Sequence, residues 1–257
     1  MKLDYMLLLN HSPIELINIG KIIPYTLQEL RDNLNEYDIS INTLTMTPQS
    51  YFEHIDTERK DWFFDLPQEQ RDAMNMYFLI RGNNDLQEMY RRAFSFFMLE
   101  KVEYSDALEM FVTYTEKDEN GKIIPIGVIR EETFKDVIDC IMQLYCISLE
   151  DKEKKVKFKN SKARKVWEKI QKGKKDFDKT NPQSKKFELA NIISAVSAKS
   201  QSLNIINIWE LTVFQLYDQF QRLQINDVHG IQKHSVAVWG DKKNTLDLTE
   251  WFSYIHK

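Results

Sequence analysis

Residues 207–223 read NIWELTVFQLYDQFQRL, and the placing of their apolar side chains decides the fold class. Trp209, Val213, Leu216, Phe220 and Leu223 recur at spacings of 4, 3, 4 and 3, which puts them in one stripe along a helix. Phe214 and Tyr217 widen that stripe beyond a two-stranded coiled-coil seam, as a helix packed against more than one neighbour requires. Asn207 and Glu210 supply a capping pair at its start. The stretch therefore predicts an amphipathic helix in the protein's own core.

The same periodicity recurs towards the amino terminus. Thr26 and Glu29 fit a capping box, and Thr47-Pro48 places a cap residue before a proline at the first helical position, so helices are expected over about 27–45 and 48–56. Residues 67–81 and 85–101 predict a helical hairpin joined through Gly82-Asn83-Asn84, and 132–149 predicts a further helix burying Phe134, Val137, Ile141, Leu144 and Tyr145. Two hairpins interrupt the helices. One is expected from Tyr5–Leu9 paired with the extended stretch 14–25; the other has strands near 111–116 and 122–128 around Asn120-Gly121, a dipeptide that tolerates positive φ at both turn positions. Gly and Pro number only 7 and 6, too few turn formers for a sheet-rich chain of 257 residues. The reading is a mainly α, multi-helix globular protein with minor β-hairpins, of α+β character near the amino terminus and around 111–128.

Charge divides the chain. Residues 152–186 hold 15 Lys or Arg against 4 acids, a net of +11, while the rest of the sequence holds 20 bases and 35 acids, a net of −15. Such density with few apolar residues opposes packing, because too little surface can be buried to offset the entropy of ordering. The predicted organisation is a mostly helical domain over 1–151 with small hairpins, a basic linker or tether over 152–186, and a helical unit over 187–257 packed on the first domain. The alternative for the basic run is nucleic-acid contact through Lys154, Lys155, Lys157, Lys162, Arg164, Lys165 and Trp167, where cations displace phosphate counterions and an aromatic ring stacks on an unpaired base. Lysine outnumbers arginine there, which removes the bidentate donors that base reading favours.

A search for chemistry returns little. Cys140 and Cys146 lie six apart, on different faces of the expected helix, and read as buried thiols. His229 and His234 lack a carboxylate or cysteine at ligand spacing, no glycine cluster forms a phosphate loop, and no serine stands in a GxSxG turn. Catalytic, metal and cofactor-binding residues are all expected to be absent. The apolar run at Tyr5–Leu9 is broken by His11-Ser12-Pro13, too short for a signal peptide, and no stretch has the length of a membrane span, so a cytosolic protein is expected.

WELTVFQLYDQFQRL (209–223), VAVWG (236–240) and DLTEWFSYI (247–255), together with IIPYTLQELRD and LTMTPQSYF near the amino terminus, resemble a family of tail and virion morphogenesis proteins from phages of Gram-positive bacteria. The resemblance implies a non-enzymatic tail assembly protein, chaperone-like, acting in the host cytoplasm or carried in the virion. Its implied partners are tail proteins such as the tape measure or the tube subunit; apart from the resemblance, self-association is a further option, and nucleic acid, from the basic run, is the competing one. It also implies that Trp209, Val213, Leu216, Phe220, Trp239 and Trp251 form a recurring structural unit whose segments pack on each other.

Overall fold

The computed structural model describes residues 1–119, 121–147, 188–241 and 246–255. The chain divides into two compact units, 1–147 and 148–257. The described residues are mainly helical, with two small antiparallel sheets. The basic run 152–186 lies outside the described residues.

The first unit opens on α1 (Tyr5–Leu8), where a strand was expected. Asp4 caps it by accepting the Met6 N–H at 2.7 Å. Met and Leu are unbranched at Cβ and good helix formers, so a capped Met-Leu-Leu run coils rather than pairs. The hairpin is built wholly from the next segment: β1 (Ile14–Leu16) pairs with β2 (Gly20–Ile22). Two glycines let it dock. At Gly20 (φ +140°) a Cβ would lie 2.6 Å from the buried Glu100 carboxylate, and at Gly127 it would lie 2.5 Å from the Asn18 carbonyl oxygen. That carbonyl accepts the Val128 N–H at 3.0 Å, and Glu100 accepts the Lys21 N–H at 2.7 Å.

Thr26 and Glu29 form the expected box, with the Thr26 N–H donating to the carboxylate at 2.8 Å. The helix it starts is broken by Asn33 into α2 (Leu27–Asp32) and α3 (Leu34–Leu44). The Asn33 carboxamide donates to the Glu29 carbonyl at 2.9 Å, a local bond that competes with helix continuation. α4 (Pro48–His54) starts at Thr47-Pro48 as expected. α5 (Lys60–Asp65), not foreseen, follows a turn capped by Asp56. The helix expected over 67–81 is two, α6 (Gln68–Ala73) and α7 (Met76–Arg81), because Met74 is extended and Asn75 caps a new start through the Phe78 N–H at 2.7 Å.

α8 (Asn84–Phe97) pairs with α7 across the predicted turn, and Asn83 is its cap. It stops short of 101, because Lys101–Ser105 forms β3, an unforeseen strand. β3, β4 (Met110–Lys117) and β5 (Ile123–Ile129) make a three-stranded antiparallel meander in that order. Gly121 takes φ +78° at the predicted turn. α9 (Glu131–Leu144) buries Phe134, Val137, Ile141 and Leu144, and Tyr145 just beyond it is buried too. Cys140 is buried, which holds its thiol up at about 11; Cys146 is exposed past the helix end at φ +53°, correcting the expectation that both are enclosed.

Aromatic rings fill this unit's core. Phe94, fully buried, lies 5.3 Å from Phe111 and 5.8 Å from Phe134, and Phe134 lies 5.4 Å from Tyr90 and 5.2 Å from Tyr77. The Tyr77 hydroxyl donates towards the Glu109 and Ile129 carbonyls, and burial lifts its pKa to about 12. Edge-tilted rings at these separations add to the area they bury.

The second unit is built on α10 (Leu189–Lys199) and α11 (Val213–Trp239), which pack on each other. A 3₁₀ turn, Ile208–Glu210, precedes α11. The expected cap pair Asn207 and Glu210 does not start the long helix. Leu211 is extended, and Thr212 with Gln215 forms the true capping box, its N–H donating to the Gln215 side chain at 2.9 Å and its hydroxyl accepting the Gln215 N–H at 3.2 Å. Asn207 instead accepts the Asn204 N–H at 2.7 Å.

Candidate interaction surface

α11 runs 27 residues, far past the end expected at Leu223. At 1.5 Å per residue it is about 40 Å long, whereas the 11-residue α10 spans about 16 Å and reaches along less than half of it. In the first half Val213, Phe214 and Leu216 are buried, as are Ile192, Ile193 and Val196 of α10. Phe220 and Leu223, one and two turns on, are only half-buried. Lys199 at the end of α10 forms an ion pair with Asp227. Past this point the apolar positions continue in steps of three and four, but they face solvent: Val228 is 52% exposed, Ile231 70% and Val238 67%.

Gly240 (φ +76°) ends the helix. The last described stretch, 246–255, lies back along α11, where Arg222 donates to the Ser253 carbonyl at 2.7 Å. A short 3₁₀ turn, Glu250–Phe252, is set by Asp247, which accepts the Thr249 hydroxyl at 2.6 Å and the Thr249 N–H at 2.8 Å. These two bonds hold the Asp247 carboxyl below its ordinary pKa. Trp251 and Phe252 meet edge to face at 5.1 Å, yet Leu248, Trp251, Phe252 and Tyr254 all stay more than half exposed. A shallow pocket of about 360 Å³ separates this turn from the helix, lined by Asn226, His229, Gly230, Lys233, Leu248 and Trp251. His229 is buried there, with its Nδ1 unpaired among the described residues.

The residues singled out in the sequence scatter between these environments. Val213 and Leu216 are core; Trp209 is half-buried, its indole N–H donating to the Ile205 carbonyl at 2.8 Å; Phe220 lies at the core's margin. Trp251 is 51% exposed over the Asn226–Lys233 stretch, and Trp239 stands 78% exposed at the last helical residue. The segment that carries Trp251 therefore lies against α11, while Trp239, the last residue of that helix, stays exposed. Lys154, Lys155, Lys157, Lys162, Arg164, Lys165 and Trp167 lie outside the described residues. Val228, Ile231, Val238, Leu248, Phe252 and Tyr254 are not among the residues that the sequence reading singles out, although Ile231 and Val238 fall 18 residues, five helical turns, beyond Val213 and Phe220.

Chemistry of other kinds finds few partners here. Among the described residues no group of three or more His, Cys, Asp or Glu is placed to hold a metal ion, and no helix is long and apolar enough to cross a membrane. What the second unit offers is apolar surface. Singly exposed Leu or Ile residues are ordinary, but exposed aromatic side chains in contact with each other, as Trp251 and Phe252 are, make a candidate contact surface.

Residues 179–256 match the family described as the YomV second domain, a phage-derived family. The matched stretch holds α10, α11 and the returning tail, and it contains the three carboxyl-terminal segments that carry the phage resemblance. No curated protein matches the chain, and no solved structure does.

Proposed function

We propose that this protein is a non-enzymatic phage tail morphogenesis factor, an assembly chaperone that holds another tail protein, the tape measure or the tube subunit, in the host cytoplasm before assembly. The observation that carries this reading is the coincidence of place: the exposed Leu248, Trp251, Phe252 and Tyr254 fall inside the stretch that matches a phage-derived family. Chaperoning requires adaptable apolar contact. Aromatic side chains supply large area at low entropic cost, and Trp and Tyr are enriched among residues that dominate binding energy.

Coexpression of the full chain with the tape measure or tube subunit of its own phage tests the reading. The partner is expected to stay soluble and copurify, and Trp251→Ala with Phe252→Ala is expected to weaken that complex by at least about thirtyfold, one hot-spot residue's worth of binding energy. A partner that gains no solubility, or a complex indifferent to both substitutions, overturns it. The net +11 of residues 152–186 supports a second reading, nucleic-acid binding. Salt separates the two, since neutralising 6 to 10 phosphates costs about 10³ to 10⁵ in affinity between roughly 50 and 200 mM salt, whereas an apolar contact changes far less.

A further inference from the structure

We infer that the pocket between α11 and the returning tail binds a small organic carboxylate with an aromatic body, its acid group held by Lys233 and Asn226 and its ring laid against Trp251. This goes beyond the chaperone reading and does not depend on it, because the pocket is formed by this chain alone.

The pocket has a helical wall and a tail wall. Asn226, His229, Gly230 and Lys233 stand at steps of 3, 1 and 3 and so share one face of α11, while Leu248 and Trp251 close the other side. Gly230 is a costly residue inside a helix, and close packing does not explain it, since a Cβ there would meet no atom within 4 Å. What the missing side chain leaves is open floor. At about 360 Å³ the space is at the lower end of the roughly 300 to 1,000 Å³ usual for small-molecule sites, so it takes one small molecule and no more.

The polar side chains of the lining set the charge of the ligand. Lys233 pairs with no carboxylate among the described residues, and the acids that flank it, Asp227 on the helix and Asp247 on the tail, are engaged by Lys199 and Thr249. His229, only 6% exposed, lines the same space with an Nδ1 that no described residue meets, and a buried polar atom left so calls for something outside the chain. The Lys233 ammonium and the Asn226 carboxamide both donate, and a carboxylate only accepts, through charge-assisted bonds of the stronger kind. A cationic ligand would meet Lys233 as a like charge, and a wholly apolar one would cover these donors unpaired. Trp251, edge to face with Phe252 at 5.1 Å, and Leu248 select the body, because a flat ring packs well against an indole. Both a free aromatic acid and the last residue of a polypeptide, where its side chain is aromatic, present this chemistry.

Nuclear magnetic resonance on the full chain tests this through the Trp251 indole N–H, identified by its loss in Trp251→Phe. Phenylacetate and N-acetylphenylalanine, the second mimicking a chain end, are each titrated into the millimolar range. A saturable shift of that signal is expected with at least one of them, and the tighter of the two names the source, free acid or chain end. Their neutral amides should bind at least about tenfold more weakly, as the loss of a hydrogen bond to a charged group implies, and Lys233→Gln should weaken the acids by the same factor. Gly230→Leu fills the floor without meeting another atom, so it should abolish the shift and leave the rest of the spectrum in place. Lys233→Gln, at an exposed position, decides the matter if Gly230→Leu disturbs the fold. No saturable shift with either acid, amides that bind as well as acids, or wild-type binding by Lys233→Gln or by a folded Gly230→Leu overturns the inference.

Discussion

The two ends of α11 are made of similar residues and have opposite fates. Leu216, near its start, is wholly buried; Ile231, fifteen residues on, is 70% exposed. Neither propensity nor local pattern distinguishes them, since both stand in the same three-and-four register on one continuous helix. What differs is their cover: Val213, Phe214 and Leu216, before the Lys199–Asp227 ion pair, are buried, and Val228, Ile231 and Val238, past it, are not. Apolar periodicity therefore reports which face of a helix seeks cover, and what packs against the helix decides how much of it is found within the chain.

The first unit provides the fully enclosed reference for that contrast, and the largest effect is expected there. Phe94→Ala removes a ring packed among Phe111, Phe134 and Tyr90, so a loss of about 3 to 5 kcal/mol is expected from lost burial plus the cavity left behind. Set against a usual stability of roughly 5 to 15 kcal/mol, this should lower a urea midpoint plainly. A loss below about 1 kcal/mol would mean that the aromatic cluster is loosely packed and the contrast between the units is false.

Leu216→Ala probes the covered half of α11. The expected loss is about 2 to 5 kcal/mol, read by urea unfolding. Phe220→Ala, one turn further on, should cost less than a fully buried Phe does, because its ring is only half-enclosed. An effect at Phe220 as large as that at Phe94 would show that cover extends further along the helix than α10 does.

Much of this was legible in the sequence, where the signal was local. The Thr26–Glu29 box, the Thr47-Pro48 start, the turn before Gly121 and the buried face of α9 each depend on residues within a few positions of one another, and each is found where the spacing puts it. The errors fall where two local signals compete. Asn207 with Glu210 and Thr212 with Gln215 are both plausible boxes, but the Asn207 side chain is taken by the Asn204 N–H ahead of the 3₁₀ turn, which leaves Thr212 to cap the helix. Asn33 and Asn75 each divide an expected helix by bonding their side chains to the local backbone, an option that apolar periodicity does not register. The exposure of Ile231, Val238 and Trp239 was illegible for a different reason. It depends on what packs against that half of the helix, and no pattern within α11 encodes that.

A smaller effect sharpens the choice of cap. Thr212→Ala should cost about 1 kcal/mol by leaving the Gln215 amide without its acceptor, whereas Asn207→Ala should leave α11 unchanged because it opens only the preceding turn. Thermal melts of the two variants compare them directly. If Asn207→Ala proved the more damaging, the helix would owe its start to the turn, and the Thr212 box would be secondary.

The smallest effect is expected at Ile231, and it bears most directly on the comparison. Trimming an exposed side chain removes little burial, so Ile231→Ala should move the stability by no more than about 0.5 kcal/mol, far less than Leu216→Ala loses when both are unfolded in urea. Equal losses for the two variants would make Ile231 a core residue like Leu216, and the two halves of α11 would no longer differ.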